Sequence, residues 1–106
     1  MVILSRFYGT LKQGGRTERD IDIYSYNENL RQFVIRVMTT ANLEVIVDLK
    51  RNNTTIYTLT TDRISDRPNT VLYFVNTGDW NIISITLKNT STSENKYHLI
   101  LEAYEN

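Results

Sequence analysis

Residues 20–26 constrain the fold of this chain more than any other stretch, because polar and apolar side chains alternate there without a break. The two sets of alternate residues are Asp20, Asp22, Tyr24 and Tyr26, and Ile21, Ile23 and Ser25. Only a strand presents a period of two as two separate faces. We therefore predict a strand over residues 20–26, with one packed face and an opposite, partly buried face.

The rest of the chain repeats this pattern in short runs that are rich in β-branched residues. Further strands are predicted at residues 1–11, 32–40, 42–50, 55–61, 71–76, 81–88 and 96–104. About eight short strands without a convincing helix are typical of an antiparallel sandwich or barrel. We predict an all-β chain that forms a single antiparallel, jelly-roll-like β-sandwich domain over residues 1–106.

Several local features sharpen this prediction. Loops or irregular segments are predicted at residues 13–19, 62–70 and 89–95, and tight turns at residues 51–54 and 77–80. Gly9 indicates a bulge or a bend in the first strand. The uninterrupted apolar run of residues 71–76 predicts a central strand that is buried on both faces.

The charge balance argues against nucleic-acid binding. Twelve basic and twelve acidic residues give a formal net charge of zero over 106 residues. No excess of positive charge is left to neutralise a phosphate backbone. The chain also has no cysteine, which excludes disulfides, thiolate metal sites and cysteine nucleophiles.

No apolar run approaches the roughly 18 residues that a membrane span needs, so no span is expected. The first residues also lack a secretory signal, because their apolar run is short and no small-residue cleavage site follows it. We expect a protein that stays inside the cell or forms part of an assembled particle, unless the chain is a domain cut from a longer one.

The sequence gives no sign of catalysis. It contains no nucleophile elbow, no His-Glu-x-x-His motif and no glycine loop of the phosphate-binding kind. The single histidine, His98, falls on the outward face of the last predicted strand, where a surface role is the simpler interpretation. We predict a protein without catalytic residues that is not an enzyme.

Carboxylates lie close together where the chain enters strand 20–26. Asp20 and Asp22 share one face, and Glu18 comes just before them. Oxygen ligands of this kind suit Ca²⁺, which takes six to eight of them, so aspartates from later loops would have to join. The alternative is a solvated strand start whose aspartates accept hydrogen bonds from loop amides. The metal candidates are Glu18, Asp20 and Asp22, and Ca²⁺ is the one cofactor that they suggest.

Tyrosine is abundant, with seven in the chain together with one tryptophan. Exposed tyrosines on a strand can stack on sugar rings or pack against extended peptides, whereas buried ones only fill the core. We expect Tyr24, Tyr97 and Trp80 to lie at least partly in the core. The candidates for a binding surface are Tyr8, Tyr57 and Tyr104.

Three segments, taken in order, resemble the bacterial pre-peptidase C-terminal (PPC) domain family. The opening segment runs from Gly9-Thr10-Leu11 through a polar loop to Asp20-x-Asp22-x-Tyr24-x-Tyr26, and the later ones are residues 78–85 (Gly-Asp-Trp-Asn-Ile-x-x-Ile) and 96–101 (Lys-Tyr-His-Leu-Ile-Leu). The resemblance implies a β-sandwich module of the kind appended to secreted proteases and collagenases. It also implies binding of collagen or polysaccharide, or of calcium, as in some members.

Three functions fit these observations. The first is a non-catalytic binding module that acts through contacts with a protein or a polysaccharide surface. The second is a structural subunit that self-assembles as a homo-oligomer, as in a virion or a spore layer, since strand edges and a neutral charge ease self-association. The third, which follows from the resemblance, is a calcium-dependent module that binds surfaces or carbohydrates.

Overall fold

The computed structural model describes residues 1–26, 29–63 and 70–105, and it confirms the all-β prediction. Its strands are β1 (Val2–Leu11), β2 (Arg16–Asp22), β3 (Leu30–Thr39), β4 (Leu43–Arg51), β5 (Thr54–Arg63), β6 (Thr70–Val75), β7 (Ile82–Asn89) and β8 (Asn95–Glu105). Within these residues the helical content is a single 3-10 turn at Ile23–Ser25. No helix in the described ranges has the length and apolar character needed to cross a membrane.

The strands form two four-stranded sheets, in the orders β1-β8-β3-β6 and β2-β7-β4-β5. Every pairing is antiparallel. The chain passes from one sheet to the other at each connection except the β4–β5 hairpin, and β1 pairs with the last strand, β8. This order is that of a jelly roll, and it confirms the predicted sandwich.

The core lies between the two sheets and takes alternate side chains from each strand. On β3 and β4 these are Phe33, Ile35, Val37, Leu43, Val45, Val47 and Leu49, as the alternation predicts. An aromatic cluster closes one end, where the Trp80 ring lies 5.3 Å from that of Phe33 and 5.8 Å from that of Phe74. Because burying one large apolar side chain contributes about 1.5–3 kcal/mol, this layer dominates the stability of the sandwich.

Both predicted tight turns are present. Arg51 pairs with Thr54 across a two-residue connection in which Asn52 adopts a φ of 55°. Asparagine tolerates this left-handed conformation better than most residues do. Gly78 has a φ of 99° in the turn before β7, a conformation that strongly favours glycine.

The prediction that residues 71–76 form a central strand is wrong. β6 lies at the edge of its sheet and pairs with β3 alone, and Val71 and Tyr73 are 50% and 58% exposed. In the other sheet β7 is one of the two central strands, and even its Ser84 and Thr86 are buried between β2 and β4. Position within the sheet, rather than the polarity of the side chains, decides which strand is covered on both faces.

The strand predicted at residues 20–26 is displaced toward the N-terminus. β2 begins at Arg16, inside the segment predicted as a loop, because residues 16–22 pair with β7. It ends at Asp22, whose carboxylate accepts a hydrogen bond from the Tyr24 amide (3.0 Å) and so starts the 3-10 turn. Tyr24 therefore leaves the sheet and is half exposed instead of lying in the core.

Gly9 does not mark the irregularity of β1. The register of β1 against β8 shifts between Ile3 and Ser5, whereas Gly9 pairs regularly with Tyr97. A Cβ atom on Gly9 would lie 2.9 Å from the Tyr97 hydroxyl oxygen. Glycine is needed here because the Tyr97 ring packs directly against the backbone.

The segment of residues 89–95, predicted as a solvated loop, has buried asparagines at both ends. The Asn89 amide group donates to the carbonyls of Leu11, Lys12 and Ser93, at 3.1, 2.9 and 2.8 Å. The Asn95 amide group donates to the carbonyls of Ala41 (3.1 Å) and Asn42 (2.9 Å). Each asparagine thus ties a neighbouring loop to the end of the sandwich. The segment predicted as irregular at residues 62–70 lies mostly outside the described residues.

We predict that Asn95→Ala destabilises the protein by about 2 kcal/mol, because it removes two hydrogen bonds of a buried side chain to the backbone, each contributing about 1 kcal/mol. Asn53→Ala, in the exposed hairpin turn, is the matched control and should change stability by less than about 0.5 kcal/mol. Urea unfolding followed by tryptophan fluorescence measures both variants. Equal effects of the two substitutions would show that the Asn95 bonds do not anchor the loop.

Candidate interaction surface

The outer face of the sheet β1-β8-β3-β6 carries mostly apolar and aromatic side chains, and we call it the apolar face. Since alternate residues of a strand point to opposite sides, its members are the neighbours of the core residues on each strand. Its apolar and aromatic members are Ile3 and Tyr8 on β1, Ile100 and Tyr104 on β8, Val34 and Met38 on β3, and Val71, Tyr73 and Val75 on β6. Ile3, Tyr8, Val71, Tyr73 and Val75 are 45–75% exposed.

The strand register arranges these side chains in rows across the sheet. One row runs from Ile3 through Glu102 and Val34 to Tyr73, and the next runs from Arg6 through Ile100 and Arg36 to Val71. At the β1 side the Tyr8 ring contacts that of His98 edge to face, with centroids 5.8 Å apart. His98 is therefore half-buried against the ring of Tyr8 and is not a fully exposed side chain.

Three polar groups at the centre of the apolar face form a bonded unit. Arg36 Nε donates to Glu102 Oε1 at 2.9 Å, and the Tyr104 hydroxyl donates to Glu102 Oε2, also at 2.9 Å. The bond from Arg36, followed by that from Tyr104, holds the pKa of Glu102 below its usual range. The bond to Glu102 in turn raises the pKa of Tyr104. The carboxylate is thus kept ionised and satisfied among apolar neighbours.

This unit predicts a pH dependence of stability. Because the pKa of Glu102 is lower in the folded protein than its ordinary value of 4.5, the ionised form stabilises the fold above that pH. The stabilisation is lost as the pH falls below 4.5 and through the folded pKa. Arg36→Met should therefore lower the free energy of unfolding more at about pH 7 than at about pH 2. Arg6→Met, on the same face, is the control and should show no such difference in urea melts.

The outer face of the sheet β2-β7-β4-β5, which we call the polar face, differs sharply. Apart from three isoleucines, its residues are charged or carry hydroxyls, namely Arg16, Glu18, Asp20, Asp22, Glu44, Asp48, Lys50, Thr58, Thr60, Ser84, Thr86 and Lys88. Arg16 and Glu18 form an ion pair at 3.6 Å, and the Thr58 hydroxyl donates to Asp48 at 2.7 Å. Most of these side chains are open to solvent and some of them pair with one another, whereas Ser84 and Thr86 on β7 are buried.

The three metal candidates lie along β2 on the polar face. Asp20 and Asp22 line an open cleft of about 460 Å³, together with Arg19, whose guanidinium lies 4.4 Å from the Phe7 ring centroid. Glu18 is paired with Arg16, and Asp22 accepts the Tyr24 amide. Among the described residues no group of three or more His, Cys, Asp or Glu side chains is placed to hold a metal ion.

These contacts predict different effects for the two aspartates. Asp22→Ala removes the cap of the 3-10 turn and should cost about 1 kcal/mol. Asp20→Ala breaks no hydrogen bond of the described residues, so it should change stability by less than about 0.5 kcal/mol. Thermal melts with and without Ca²⁺ check both variants. If the aspartates instead bind calcium, a hundredfold excess over Kd should stabilise the wild type by about 2.7 kcal/mol and neither variant.

A second, smaller opening lies between β5 and β6, at the side of the sandwich, and we call it the side cleft. It encloses about 320 Å³, and Tyr57, Leu59, Phe74 and Trp80 are among its lining residues. The Tyr57 hydroxyl donates to Asp79 at 2.8 Å, which lowers the pKa of Asp79 and raises that of Tyr57. Arg51 also donates to the Asp79 carbonyl (3.1 Å). Tyr57 thus fastens the turn before β7 to the β4–β5 hairpin.

The three tyrosines predicted to form a binding surface do not lie together. Tyr8 and Tyr104 are on the apolar face, on neighbouring strands, while Tyr57 belongs to the other sheet and lines the side cleft. The sequence interpretation missed Tyr73, because β6 was expected to be buried on both faces. A run that is apolar throughout fits an edge strand with an apolar outer face equally well, so the signal was present but ambiguous.

No protein-family model matches this chain, and no curated protein matches it in sequence. Several solved structures are similar to it in shape. A de novo designed double-stranded β-helix aligns with a TM-score of 0.53 at 14% identity, over 92% of this chain and 99% of its own. PirA aligns with a TM-score of 0.52 at 12% identity, over 92% and 93% of the two chains. CBM4 aligns with a TM-score of 0.55 at 12% identity, over 92% of this chain and 71% of its own. These likenesses show the fold.

Proposed function

We propose that this protein is a non-catalytic interaction module that acts through protein–protein contact at the apolar face. The observation that carries the proposal is the contrast between the two outer faces of the sandwich. One carries mainly charged and hydroxyl side chains. The other carries mainly apolar and aromatic side chains, which are exposed on β1 and β6 and half-buried on β3 and β8. A β-sandwich needs only its inner faces to fold, so an apolar outer face calls for a partner.

The composition of the apolar face supports a protein partner. Tyrosine, methionine and arginine are enriched at protein interfaces, whereas lysine, glutamate and aspartate are depleted. Tyr8, Tyr73, Tyr104, Met38, Arg6 and Arg36 lie on this face together with one acid, Glu102. Thr10, Gln32, Lys96 and His98 also lie on this face, and valine and isoleucine fill the other positions. These aliphatic groups cannot stack on sugar rings as aromatic planes do.

The extent of the apolar face also supports docking. Four strands at about 4.8 Å spacing, with side-chain rows about 7 Å apart along them, give the whole face, its charged and polar side chains included, a projected area of roughly 500 Å². The largest apolar patch on a typical monomer covers about 300–600 Å², and such patches are often functional. The Arg36–Glu102 pair at its centre adds directional contacts without leaving a free charge there.

The resemblance to the PPC family stays a prediction, and it agrees with this proposal at the level of an accessory binding module. Calcium dependence is the less supported alternative, because Glu18 and Asp22 already have partners within the chain. A polysaccharide partner is the main competitor, and the experiment below separates it from a protein.

Site-specific photocross-linking tests the proposal in the cells that make the protein. Benzoylphenylalanine replaces Tyr8 on the apolar face or, as the control, Ile56, which is 39% exposed on the opposite sheet. We expect protein adducts from the Tyr8 position and few from the Ile56 position. A second copy of this chain counts as a protein partner.

The partner identified in the adducts is then purified, and its binding to this protein is measured by titration calorimetry. Tyr8→Ser and Ile100→Ser should each weaken binding by about tenfold or more, as truncations in an interface core do, while Ile56→Ser should leave Kd unchanged. Adducts from the control position alone would refute the proposal. A polysaccharide partner would also refute it. The signs of such a partner would be that soluble polysaccharide in a gel retards the protein, that Tyr8→Ser abolishes this retardation, and that no protein adduct forms.

A further inference from the structure

The sandwich has four strand edges, and three of them carry features that discourage pairing with another chain. Charged side chains and bulges are the usual protections of an edge. β2 contains five charged residues within Arg16–Asp22. β1 carries Arg6 and a register shift between Ile3 and Ser5. The pairing of β5 with β4 has a register shift between Leu49 and Lys50.

The fourth edge, β6, has none of these protections. Its residues Thr70–Val75 include no charge and no proline, and its pairing with β3 runs without a shift. Valine, tyrosine, phenylalanine and threonine are among the residues most favoured in strands. Among the described residues no strand pairs with its outer edge. Every second residue of β6 therefore presents backbone groups that another strand could satisfy.

We infer that β6 pairs antiparallel with β6 of a second copy, about a two-fold axis at Tyr73. Residues opposite one another in an antiparallel pair lie on the same face, so this register sets Val71 against Val75 of the second copy on the apolar side. Tyr73 meets its own counterpart on that side. Leu72 meets Phe74 of the second copy on the inner side.

Several observations favour a second copy as the occupant. The pairing brings no charged residues together, and the residues from Val71 to Val75 meet only apolar or aromatic counterparts, while Thr70 faces Asn76 of the second copy. The contact is therefore self-complementary and isologous. The net charge of zero adds no repulsion between copies. The neighbouring strand would also lie beside the side cleft, where Phe74 and Trp80 line an open apolar volume.

The product is one continuous eight-stranded sheet across two sandwiches. Both apolar faces then lie on the same side of that sheet and form a single extended surface. Because the two-fold contact uses the β6 edge of each copy, assembly closes at the dimer. This inference goes beyond the proposed function and does not depend on it, since the pairing uses a strand edge and leaves the apolar face uncovered.

Two double variants with equal loss of apolar surface test the register. In Val71→Lys/Val75→Lys, each pair across the axis sets like charges opposite one another. In Val71→Lys/Val75→Glu, each lysine faces a glutamate. Both positions are about half exposed, so the monomer tolerates the changes. We expect the wild type and the Lys/Glu variant to dimerise as concentration rises in sedimentation equilibrium. The dissociation constant of the dimer should be about tenfold higher for the Lys/Lys variant than for the Lys/Glu variant.

Other outcomes overturn the inference. If the wild type stays monomeric up to millimolar concentration, β6 does not pair with a second copy, and any strand that pairs with it belongs to another protein. Equal dissociation of the two double variants would exclude this register. If Tyr8→Ser dissociates the dimer as well, the copies meet through the apolar face instead of the edge. Tyr8→Ser should therefore leave the dimer intact even while it weakens the contact of the proposed function.

Discussion

The structure depends on the packing of two apolar inner faces against each other. Each strand contributes alternate side chains to that layer, and Phe33, Ile35 and Leu101 have no exposed surface within it. A slip of one residue would turn those side chains outward, so burial fixes the register of every pair as well as holding the sheets together. The side chains of the outer faces do not take part in this packing, so the two outer faces can differ in polarity. That difference in polarity is the main indication of function in the structure.

The sequence predicts the inner residues well because alternation is a local property. The buried sides of β3, β4 and β8 follow directly from the pattern, and so do the turns at Asn52 and Gly78. Strand order is not local, since β1 pairs with β8 and β3 with both β8 and β6. Whether a strand is central or at an edge is settled by those distant partners. For this reason β6 was expected to be buried on both faces although its outer face is exposed.

Side-chain bonds to the backbone account for the other differences. Asp22 ends β2 because its carboxylate caps the next turn. Asn89 and Asn95 are buried, and their amide groups donate hydrogen bonds to carbonyls of neighbouring loops. A polar residue in the sequence signals a turn or a surface, but it does not say which carbonyls will surround it. The same limit affects the candidate site. Tyr8 and Tyr104 could be chosen as exposed tyrosines, yet only the strand pairing shows that Tyr73 joins them and that Tyr57 does not.

Both proposals rest on β6 being an edge strand whose outer side chains are open to solvent. Residue-by-residue amide hydrogen exchange on a dilute sample tests this placement most directly. In an edge strand, every second amide has no partner and exchanges rapidly, whereas the amides of a central strand are protected throughout. We expect alternate fast and slow amides along Thr70–Val75 and uniformly slow amides along Ile82–Asn89. In a sample that sedimentation shows to be monomeric, uniform protection of β6, equal to that of β7, would place it inside the sheet and remove the basis of both proposals.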